Sequence, residues 1–402
     1  MLLKRYLCFT LPLFFLISCQ STQIKNMKLS PLNFEQEVML LQQQYNPVVL
    51  SEGKRQLIVL PELQGRVMTS TAKGNTSQSI GWINYEYLSK PHHDNNAIIG
   101  GADRLWFGPD ASRFSLFFEP GVETTGENIR VQDAMSTVGF ETTKQTQTHI
   151  SMQQALTLIN YQGFTFEFEL EREVTLLSKT QTEQQLDIDI PPTIDFVSYA
   201  TSTKVTNTSH QDWSKQTGLF SIWDLGAFHP SNSTTVVIPM TQNLDQATWY
   251  FSDVVDSHTR IKDKVVYYKA DAKYMNKIGI PPQHTLPLFG SYDASRNLLT
   301  IITFAMSKEP HASYVNATWD FSADPYAGEI INVFNDGPNE QGIPFGPFYE
   351  METSSQGLEL KQGQSHSHRH STYHFIGEEN QLNLLSSQLL GVDISMIKSI
   401  FN

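Results

Sequence analysis

Two glutamates near the end of the chain have the residue type and spacing of a proton-transfer pair. Glu350 and Glu352 are two residues apart in the segment Phe348-Tyr-Glu-Met-Glu-Thr353, whose alternation predicts a β-strand. Because successive side chains of a strand point to opposite faces, both carboxyl groups should share one face, with Cα atoms about 7 Å apart. Paired carboxyl groups can act as general acid and base, although solvated strand faces also carry glutamates.

A run of histidines follows the two glutamates. Strand geometry puts alternate residues of this run on one side, namely His366, His368, His370, Thr372 and His374. Together with Glu350 or Glu352, the pair His368 and His370 would suit a zinc or other transition-metal site. Four histidines span about 27 Å at strand spacing, so they cannot all bind one ion. We therefore predict no metal or other cofactor, and a metal-dependent glycan-active enzyme built on this His/Glu cluster is an alternative.

The composition indicates an acidic protein. The chain has 402 residues and a formal net charge of −13. An acidic surface repels phosphate groups, which argues against nucleic acid as a partner and against electrostatic attachment to anionic lipid. Contact with a membrane would therefore depend on a covalent lipid anchor.

The first residues have the pattern of an export signal. Lys4 and Arg5 precede an apolar run over residues 7–17, which is too short to span a bilayer as a helix. The run leads into Leu16-Ile-Ser-Cys19, which resembles the lipobox of bacterial lipoproteins, with Cys19 as the acylated residue. We therefore predict a lipoprotein signal peptide over residues 1–18 and a polar tether over residues 19–29.

Two further residues refine this prediction. Gln20 follows the acylated cysteine where an inner-membrane retention signal would usually carry aspartate, which favours an outer-membrane lipoprotein of the cell envelope. The other cysteine of the chain, Cys8, lies within the predicted signal peptide. The mature chain would therefore contain no disulfide and no cysteine-based metal site.

Beyond the tether, residues 30–402 have the pattern of a single all-β domain. Ser30-Pro31 and the spacing of Phe34, Val38 and Leu41 predict one short N-terminal helix. Short β-branched or aromatic segments bounded by turn residues then predict strands at 47–50, 56–60, 66–70, 164–170, 234–238, 264–268 and 298–304. No series of long helical patterns interrupts them, which excludes a doubly wound or (β/α) barrel fold. We predict a large antiparallel β-sandwich.

Several short segments resemble the galactose mutarotase-like superfamily, whose members share a large β-sandwich. They include Gly65-Arg-Val-Met-Thr-Ser70, Val205-Thr-Asn207, and Phe348–Thr353 followed by Leu360-Lys-Gln-Gly363. Seven strings in chain order are similar to an uncharacterised family of secreted bacterial proteins within that superfamily: residues 65–72, 81–84, 100–109, 277–279, 290–294, 335–338 and 346–350. The resemblance implies a galactose mutarotase-like supersandwich.

The same resemblance implies aldose 1-epimerase chemistry. In such an enzyme a glutamate takes the proton of the anomeric hydroxyl, and a histidine protonates the ring oxygen. Glu352 matches the base by its position, and Glu350 is the second choice. The expected His-x-Tyr-Phe-Asn string is missing, because the chain reads Gly218-Leu-Phe-Ser-Ile-Trp-Asp-Leu225 there. His229, four residues later, could supply the proton if its loop folds back, and His92 and His93, before the Gly100-Gly101 turn, are other candidates.

A carbohydrate ligand would need aromatic and polar contacts. An aromatic ring beside a carboxylate and a guanidinium commonly holds a sugar, and Asp103, Arg104 and Trp106 provide this set. The alternative places Trp106 in the core and pairs Asp103 with Arg104. Trp223 and Asp224 offer a stacking ring and a partner for hydroxyl groups. The other residues predicted to bind the sugar are Arg66, Lys277, Asn335, Asp336, Tyr349, His368, His370 and His374.

These observations predict a lipid-anchored envelope protein that binds carbohydrate. Its activity would be that of an aldose 1-epimerase-like isomerase with Glu352 as the base. One alternative is a non-catalytic glycan-binding lipoprotein of a polysaccharide-utilisation system, which the missing histidine string favours. Another is a glycosidase or lyase, which the paired carboxyl groups suit.

Overall fold

The computed structural model describes residues 32–88, 100–244, 247–309, 312–339 and 342–402. Residues Asn33–Asn402 form one compact unit. The predicted signal peptide, the tether, the acylated Cys19 and the candidate proton donors His92 and His93 lie outside the described residues.

The described strands form three antiparallel sheets. The smallest contains β1 (Val48–Glu52), β2 (Arg55–Leu60) and β3 (Arg66–Thr71). The largest has ten strands in the order β12 (Thr259–Lys262), β13 (Val265–Lys269), β10 (Thr234–Pro239), β15 (Leu288–Asp293), β16 (Leu298–Phe304), β19 (Ser365–Ile376), β8 (Asp195–Asn207), β7 (Thr165–Leu176), β6 (His149–Ile159) and β5 (Glu141–Gln145).

The six-stranded sheet carries the predicted glutamates. Its strands run in the order β11 (Thr248–Tyr250), β14 (Asn276–Ile280), β17 (Ile331–Asn335), β18 (Tyr349–Ser354), β9 (Ser221–Phe228) and β4 (Arg104–Gly108). Strand β18 therefore lies in the interior of this sheet, between β17 and β9.

An all-β antiparallel fold is what the sequence predicts, and the structure confirms it. Each of the seven segments predicted as strands overlaps a strand. In β7 the predicted alternation is also present, because Phe166, Phe168 and Leu170 are buried while the residues between them are exposed. The pattern marks a strand with one face in the core.

Aromatic residues fill much of the space between the two large sheets. The ring of Phe168 on β7 lies 5.5 Å from Phe107 on β4 and 5.3 Å from Phe220, which immediately precedes β9. Rings at these separations bury large apolar areas and fix the distance between the sheets. The face of the six-stranded sheet that points into this core is here called the inner face, and the opposite face is called the outer face.

The α-helices of the described residues lie before the first strand, in connections and after the last strand. They are α1 (Phe34–Leu41), α2 (Tyr85–Leu88), α3 (Lys179–Leu186), α4 (Glu379–Leu390) and α5 (Ile394–Ser399). The first is the predicted N-terminal helix, but its N-cap is Asn33, which forms a capping box with Gln36.

The C-terminal helices, which the sequence analysis did not predict, cover the ten-stranded sheet. Leu382 and Leu385 of α4 belong to the same apolar cluster as Leu299 on β16 and Phe375 on β19. No helix among the described residues is long and apolar enough to cross a membrane.

Candidate functional site

Glu350 and Glu352 lie together on the outer face of the six-stranded sheet. In the register of β18, Glu350 is opposite Phe334 of β17, and Glu352 is opposite Leu225 of β9. The side chains that alternate with the two glutamates point the other way. Thr353, for example, contacts a histidine of the ten-stranded sheet, with its Oγ1 2.8 Å from His370 Nδ1. The structure therefore places both glutamates on one face, as their alternation predicts.

Glu352 is a buried carboxylate with two hydrogen-bond donors on one oxygen. Lys277 Nζ and Trp223 Nε1 each lie 3.0 Å from Glu352 Oε2. The ammonium group also lies 4.7 Å from the centroid of the Trp223 ring, within reach of a cation–π contact. Two donors on one oxygen fix the orientation of the carboxyl group, as a general base needs.

Lys277 keeps its charge in this buried position. Burial lowers the pKa of Lys277, but Glu352 and Asp110 oppose that effect, and together they raise it above its ordinary value. Asp110 is half-buried and follows the end of β4. Burial raises the pKa of Asp110, although Lys277 acts in the opposite direction.

Glu350 has a different environment from Glu352. Its Oε1 lies 3.0 Å from Arg104 Nη2, and the Arg104 guanidinium lies over the Trp106 ring, 4.0 Å from the centroid. Burial raises the pKa of Glu350 to about 7, with Arg104 opposing the shift and Glu352 adding to it. Glu350 is therefore partly protonated near neutral pH, which is the condition that a general acid needs.

Two indole rings form one side of this cluster. The ring centroids of Trp106 and Trp223 are 5.9 Å apart in an edge-on arrangement, and Trp106 Nε1 donates a hydrogen bond to the carbonyl of Met135. Trp106 is half-buried, in contrast to the buried Trp223. We call the six residues Glu350, Glu352, Arg104, Lys277, Trp106 and Trp223 the Glu-pair site.

The structure adds polar residues that the sequence analysis missed. Glu329 accepts hydrogen bonds from Thr248 Oγ1 and from Tyr250 Oη, the latter at 3.1 Å, and burial raises its pKa. Asn332 of β17 lies opposite Glu352, and its buried Oδ1 has no hydrogen-bond partner among the described residues. Gly279 makes room for both, because a Cβ there would lie 2.5 Å from Glu329 Cγ and 3.0 Å from Asn332 Oδ1.

A sequence signal for Asn332 was present. The segment Ile331-Asn-Val-Phe-Asn335 alternates, which puts Asn332 and Phe334 on one face and Asn335 on the other. The predicted sugar-binding residue is Asn335, but its side chain binds the neighbouring loop, accepting from Ala272 N at 2.8 Å and donating to the Tyr274 carbonyl at 3.0 Å. Asn335 thus stabilises the loop at residues 272–274, and its side chain is not directed at the Glu-pair site.

Asp103 and Asp224 lie on the inner face, so their predicted role as sugar-binding residues is corrected. Arg172 of β7 reaches across from the ten-stranded sheet, with Nη2 2.6 Å from Asp103 Oδ1 and Nη1 3.0 Å from Asp224 Oδ1. All three side chains are at most 1% exposed. Burial, followed by the nearby Asp103, raises the pKa of Asp224 to about 7. The alternative pairing of Asp103 with Arg104 is also wrong, because these residues point to opposite faces.

The histidines of β19 are likewise between the sheets. His368 and His370 contact Thr353, at 3.3 and 2.8 Å, and His374 Nδ1 lies 2.9 Å from Thr300 Oγ1. Burial lowers the pKa of His368 and of His374 to about 3, so both rings are neutral. The structure therefore places these histidines apart from Glu350 and Glu352, on the other side of β18.

The predicted His/Glu metal site is not assembled. The imidazoles of His368 and His370 are on the inner side of β18, whereas Glu350 and Glu352 are on its outer side. In the described part of the chain, no three histidine, cysteine or acidic side chains are arranged to hold a metal ion.

Four other predicted residues lie outside the Glu-pair site. Tyr349 is on the inner face, with its hydroxyl 3.0 Å from Ser291 Oγ. Asp336 accepts hydrogen bonds from the backbone of Phe345 and Gly346, which shapes a loop.

Arg66 donates to the Gly100 carbonyl at 3.1 Å. His229 follows β9, and its carbonyl accepts from Arg296 in a turn of the ten-stranded sheet. Burial, with Arg296 nearby, lowers the pKa of His229 to about 3. Among the described residues, no hydrogen bond or ion pair joins its ring to either glutamate, so the predicted proton donor is corrected.

The fold is similar to that of solved structures with little sequence identity. A candidate aldose 1-epimerase from Escherichia coli K12 is 11% identical, with a TM-score of 0.50, and the match covers 82% of this chain and 98% of that one. The Slr1438 protein from Synechocystis sp. PCC 6803 is 14% identical, with a TM-score of 0.50 and coverage of 83% and 97%. The predicted galactose mutarotase-like β-sandwich is thereby confirmed as the fold.

Sequence comparison leads to a single family. Among curated proteins, none matches this chain significantly. One family model does match, over residues 32–401, which is nearly the whole length of the described fold. The chain therefore belongs to the family of unknown function DUF6786.

Proposed function

We propose that the Glu-pair site binds a sugar and catalyses aldose 1-epimerase-like anomer exchange. The observation that carries the proposal is the pairing of two buried glutamates on one face of β18 with different surroundings. Glu352 has two donors on one oxygen, and Glu350 has its pKa raised to about 7 beside Arg104. Carboxyl groups whose environments separate their protonation states are suited to opposite roles in proton transfer.

The proposed reaction uses Glu352 as the base and Glu350 as the acid. Glu352 takes the proton from the anomeric hydroxyl while Glu350 gives a proton to the ring oxygen, and the bond between C1 and the ring oxygen breaks. The open-chain aldehyde rotates about its C1–C2 bond. Ring closure reverses both proton transfers, so each carboxyl group returns to its starting state.

Lys277 is a weaker candidate for the acid than Glu350. Its pKa is above that of an ordinary lysine because of Glu352 and Asp110, so Lys277 is a weak proton donor at neutral pH. Its place beside Glu352 Oε2 suits a different role, which is to hold the base in its orientation.

The surroundings of the pair favour a neutral sugar. Asn332 Oδ1 is a buried acceptor that a ligand hydroxyl would satisfy, and the half-buried Trp106 offers a ring for stacking. Both cations of the site, Arg104 and Lys277, are already paired with carboxyl groups. A sugar phosphate would have to compete for these two cations with the carboxyl groups that already bind them.

The activity is tested by polarimetry or exchange NMR on freshly dissolved α-anomers of several neutral aldoses. We expect the wild-type protein to equilibrate at least one of them faster than buffer. Glu352→Gln should abolish the acceleration, whereas Glu169→Gln, an exposed residue of β7, should leave it unchanged. If no aldose equilibrates faster than buffer, the proposed activity is wrong.

A second candidate function is binding without turnover. It is favoured by one observation, which is that the histidines near the glutamates in sequence, His368 and His370, lie on the other side of β18. In that case calorimetry would show sugar binding that Glu352→Gln weakens, with no change in the rate of anomer exchange.

We also propose that the protein is a lipoprotein of the cell envelope, anchored through Cys19. The support is the sequence pattern alone: a basic start, a short apolar run and the string Leu16-Ile-Ser-Cys19. A lipid anchor would place the sugar site at a membrane surface.

A further inference from the structure

Two exposed phenylalanines flank the Glu-pair site. Phe251 is 64% exposed and Phe345 is 53% exposed, which is unusual for large apolar side chains. Both lie against Phe334, with ring centroids at 5.6 and 6.4 Å. Because Phe334 is opposite both Lys277 and Glu350 in the sheet, these rings continue the outer face beyond the Glu-pair site.

An open groove lies beside Phe251. It has a volume of about 660 Å³ and is lined by residues 249–254 together with Tyr274. Tyr250 belongs to both regions, since its ring centroid is 5.5 Å from Lys277 Nζ and its hydroxyl donates to Glu329. Tyr250 therefore lies between the groove and the Glu-pair site.

The backbone presents Phe251 to solvent in a strained conformation. Its φ is +70°, and Ser252 N donates to the Tyr250 carbonyl at 2.9 Å, which together define the rare type of γ-turn. A bulky residue with positive φ costs free energy and persists only where its neighbours enforce that conformation. Here Asn276 Nδ2 donates to the Ser252 carbonyl at 2.7 Å.

A second hydrogen bond holds the residue that follows this turn. Tyr274 Oη donates to the Asp253 carbonyl at 2.8 Å. Two side chains from outside the turn thus hold an exposed ring in an unfavourable backbone conformation. An exposed apolar ring that is held at such a cost indicates a ligand contact, because a merely solvated loop would relax.

We propose that this groove, here called the Phe251 subsite, binds a second sugar residue of an oligosaccharide whose terminal residue occupies the Glu-pair site. The proposal rests on the sugar specificity of the proposed function. An aromatic face packs on the C–H face of a sugar ring, and the hydroxyl groups find polar partners in Ser252, Asp253 and Tyr274. This mixture of rings and polar groups suits a glycan better than an apolar peptide or an acyl chain, which would leave the polar groups unpaired.

The test is an array of neutral mono-, di- and tetrasaccharides, probed with the full-length protein in detergent. We expect at least one oligosaccharide to bind about ten times more tightly than its terminal monosaccharide. Phe251→Ala should remove that tenfold advantage without changing the affinity for the monosaccharide. Phe251→Tyr, which keeps the ring, should retain it.

The other outcomes overturn the subsite. They are an array in which no oligosaccharide binds more tightly than a monosaccharide, and a Phe251→Ala protein that binds oligosaccharides like the wild type. The binding array separates this result from the proposed activity, because it measures affinity and not turnover. An oligosaccharide advantage that depends on Phe251 would support the subsite even if the wild-type protein failed to accelerate anomer exchange.

Discussion

Glu329 occupies the space beside Gly279 that any larger residue would need, since its Cγ lies 2.5 Å from the position of a Cβ on that glycine. Glu329 in turn receives hydrogen bonds from Thr248 and Tyr250. The glycine of the Lys277-Ile-Gly279 string is thus required by the packing of a buried carboxyl group. Through these hydrogen bonds, Glu329 connects the Glu-pair site to β11, the strand that leads into the Phe251 subsite.

We expect Gly279→Ala to displace Glu329 and to lower the free energy of unfolding by about 1–3 kcal/mol, the usual cost of overpacking. Anomer exchange should also slow, because Tyr250 would lose its acceptor. Gly126→Ala is the matched control, since no atom lies within 4 Å of its added methyl group and its φ is ordinary. Urea unfolding of both variants checks the prediction, and equal stabilities would contradict it.

Removing the ammonium group of Lys277 should be costly. Lys277→Met leaves Glu352 buried without its cationic partner, and we expect a loss of about 3–5 kcal/mol in unfolding free energy together with loss of activity. Lys204→Met is the control, because Lys204 makes a 2.6 Å ion pair with Glu171 at the exposed surface, which is worth at most about 1 kcal/mol. A similar cost for both substitutions would show that burial of the pair is unimportant.

The stability of the protein should depend on pH through Glu350. Its pKa is raised from 4.5 to about 7, so its stabilising contribution is complete below about pH 4.5 and is lost as the pH rises through 7. Glutamine resembles the protonated acid. We therefore expect Glu350→Gln to gain stability relative to the wild type between pH 5 and pH 8, by up to about 3 kcal/mol.

Urea unfolding at several pH values measures this difference. The exposed-site variant Glu169→Gln should follow the wild-type curve throughout. Subtracting the wild-type curve removes the contributions of Asp224 and Glu37, whose pKa values burial also raises to about 7. Parallel curves for Glu350→Gln and the wild type would show that Glu350 is ionised across this range. They would also remove it as the proposed acid.

The charge of the site should exclude anionic sugars. We expect a neutral aldose to equilibrate faster with the protein than in buffer, and its 6-phosphate to show no acceleration over its own rate in buffer. Exchange NMR on glucose, galactose and their 6-phosphates makes the comparison within one protein preparation. A phosphate ester that is accelerated more than its neutral parent would contradict the charge argument.

Lipid attachment should depend on one cysteine. Wild-type protein expressed in a Gram-negative host should enter the detergent phase of a Triton X-114 extraction, and Cys19→Ser should move it to the aqueous phase or leave its signal uncleaved. Cys8→Ser lies in the same segment and should behave like the wild type. Detergent partitioning that Cys19→Ser does not change would rule out this anchor.

Local patterns predicted the fold and part of the site. Alternation within six residues was enough to put Glu350 and Glu352 on one face, because that property depends only on strand geometry. The partners could not be predicted in this way. Arg104 and Glu350 are 246 residues apart in the chain, and their contact depends on β4 and β18 both flanking β9.

The histidines show where the same reasoning stopped. Alternation correctly grouped His368, His370 and His374, but it could not tell which sheet β19 joins or which of its faces meets the core. The strand belongs to the ten-stranded sheet, so its histidines approach β18 from the side opposite to Glu352. Phe251 was missed for another reason: β11 has only three residues, too few for a recognisable pattern.

The alternation of side chains along β18 limits the mutations that this protein can accept during evolution. Its odd-numbered side chains join the two sheets, and its even-numbered glutamates face the proposed ligand. An insertion or deletion of one residue before Tyr349 would exchange these roles, forcing two acids into hydrocarbon and turning Met351 outward. Ligand preference can therefore change through mutations in the loops and in the residues beside β11. Strand β18 can accept substitutions but not an insertion or a deletion.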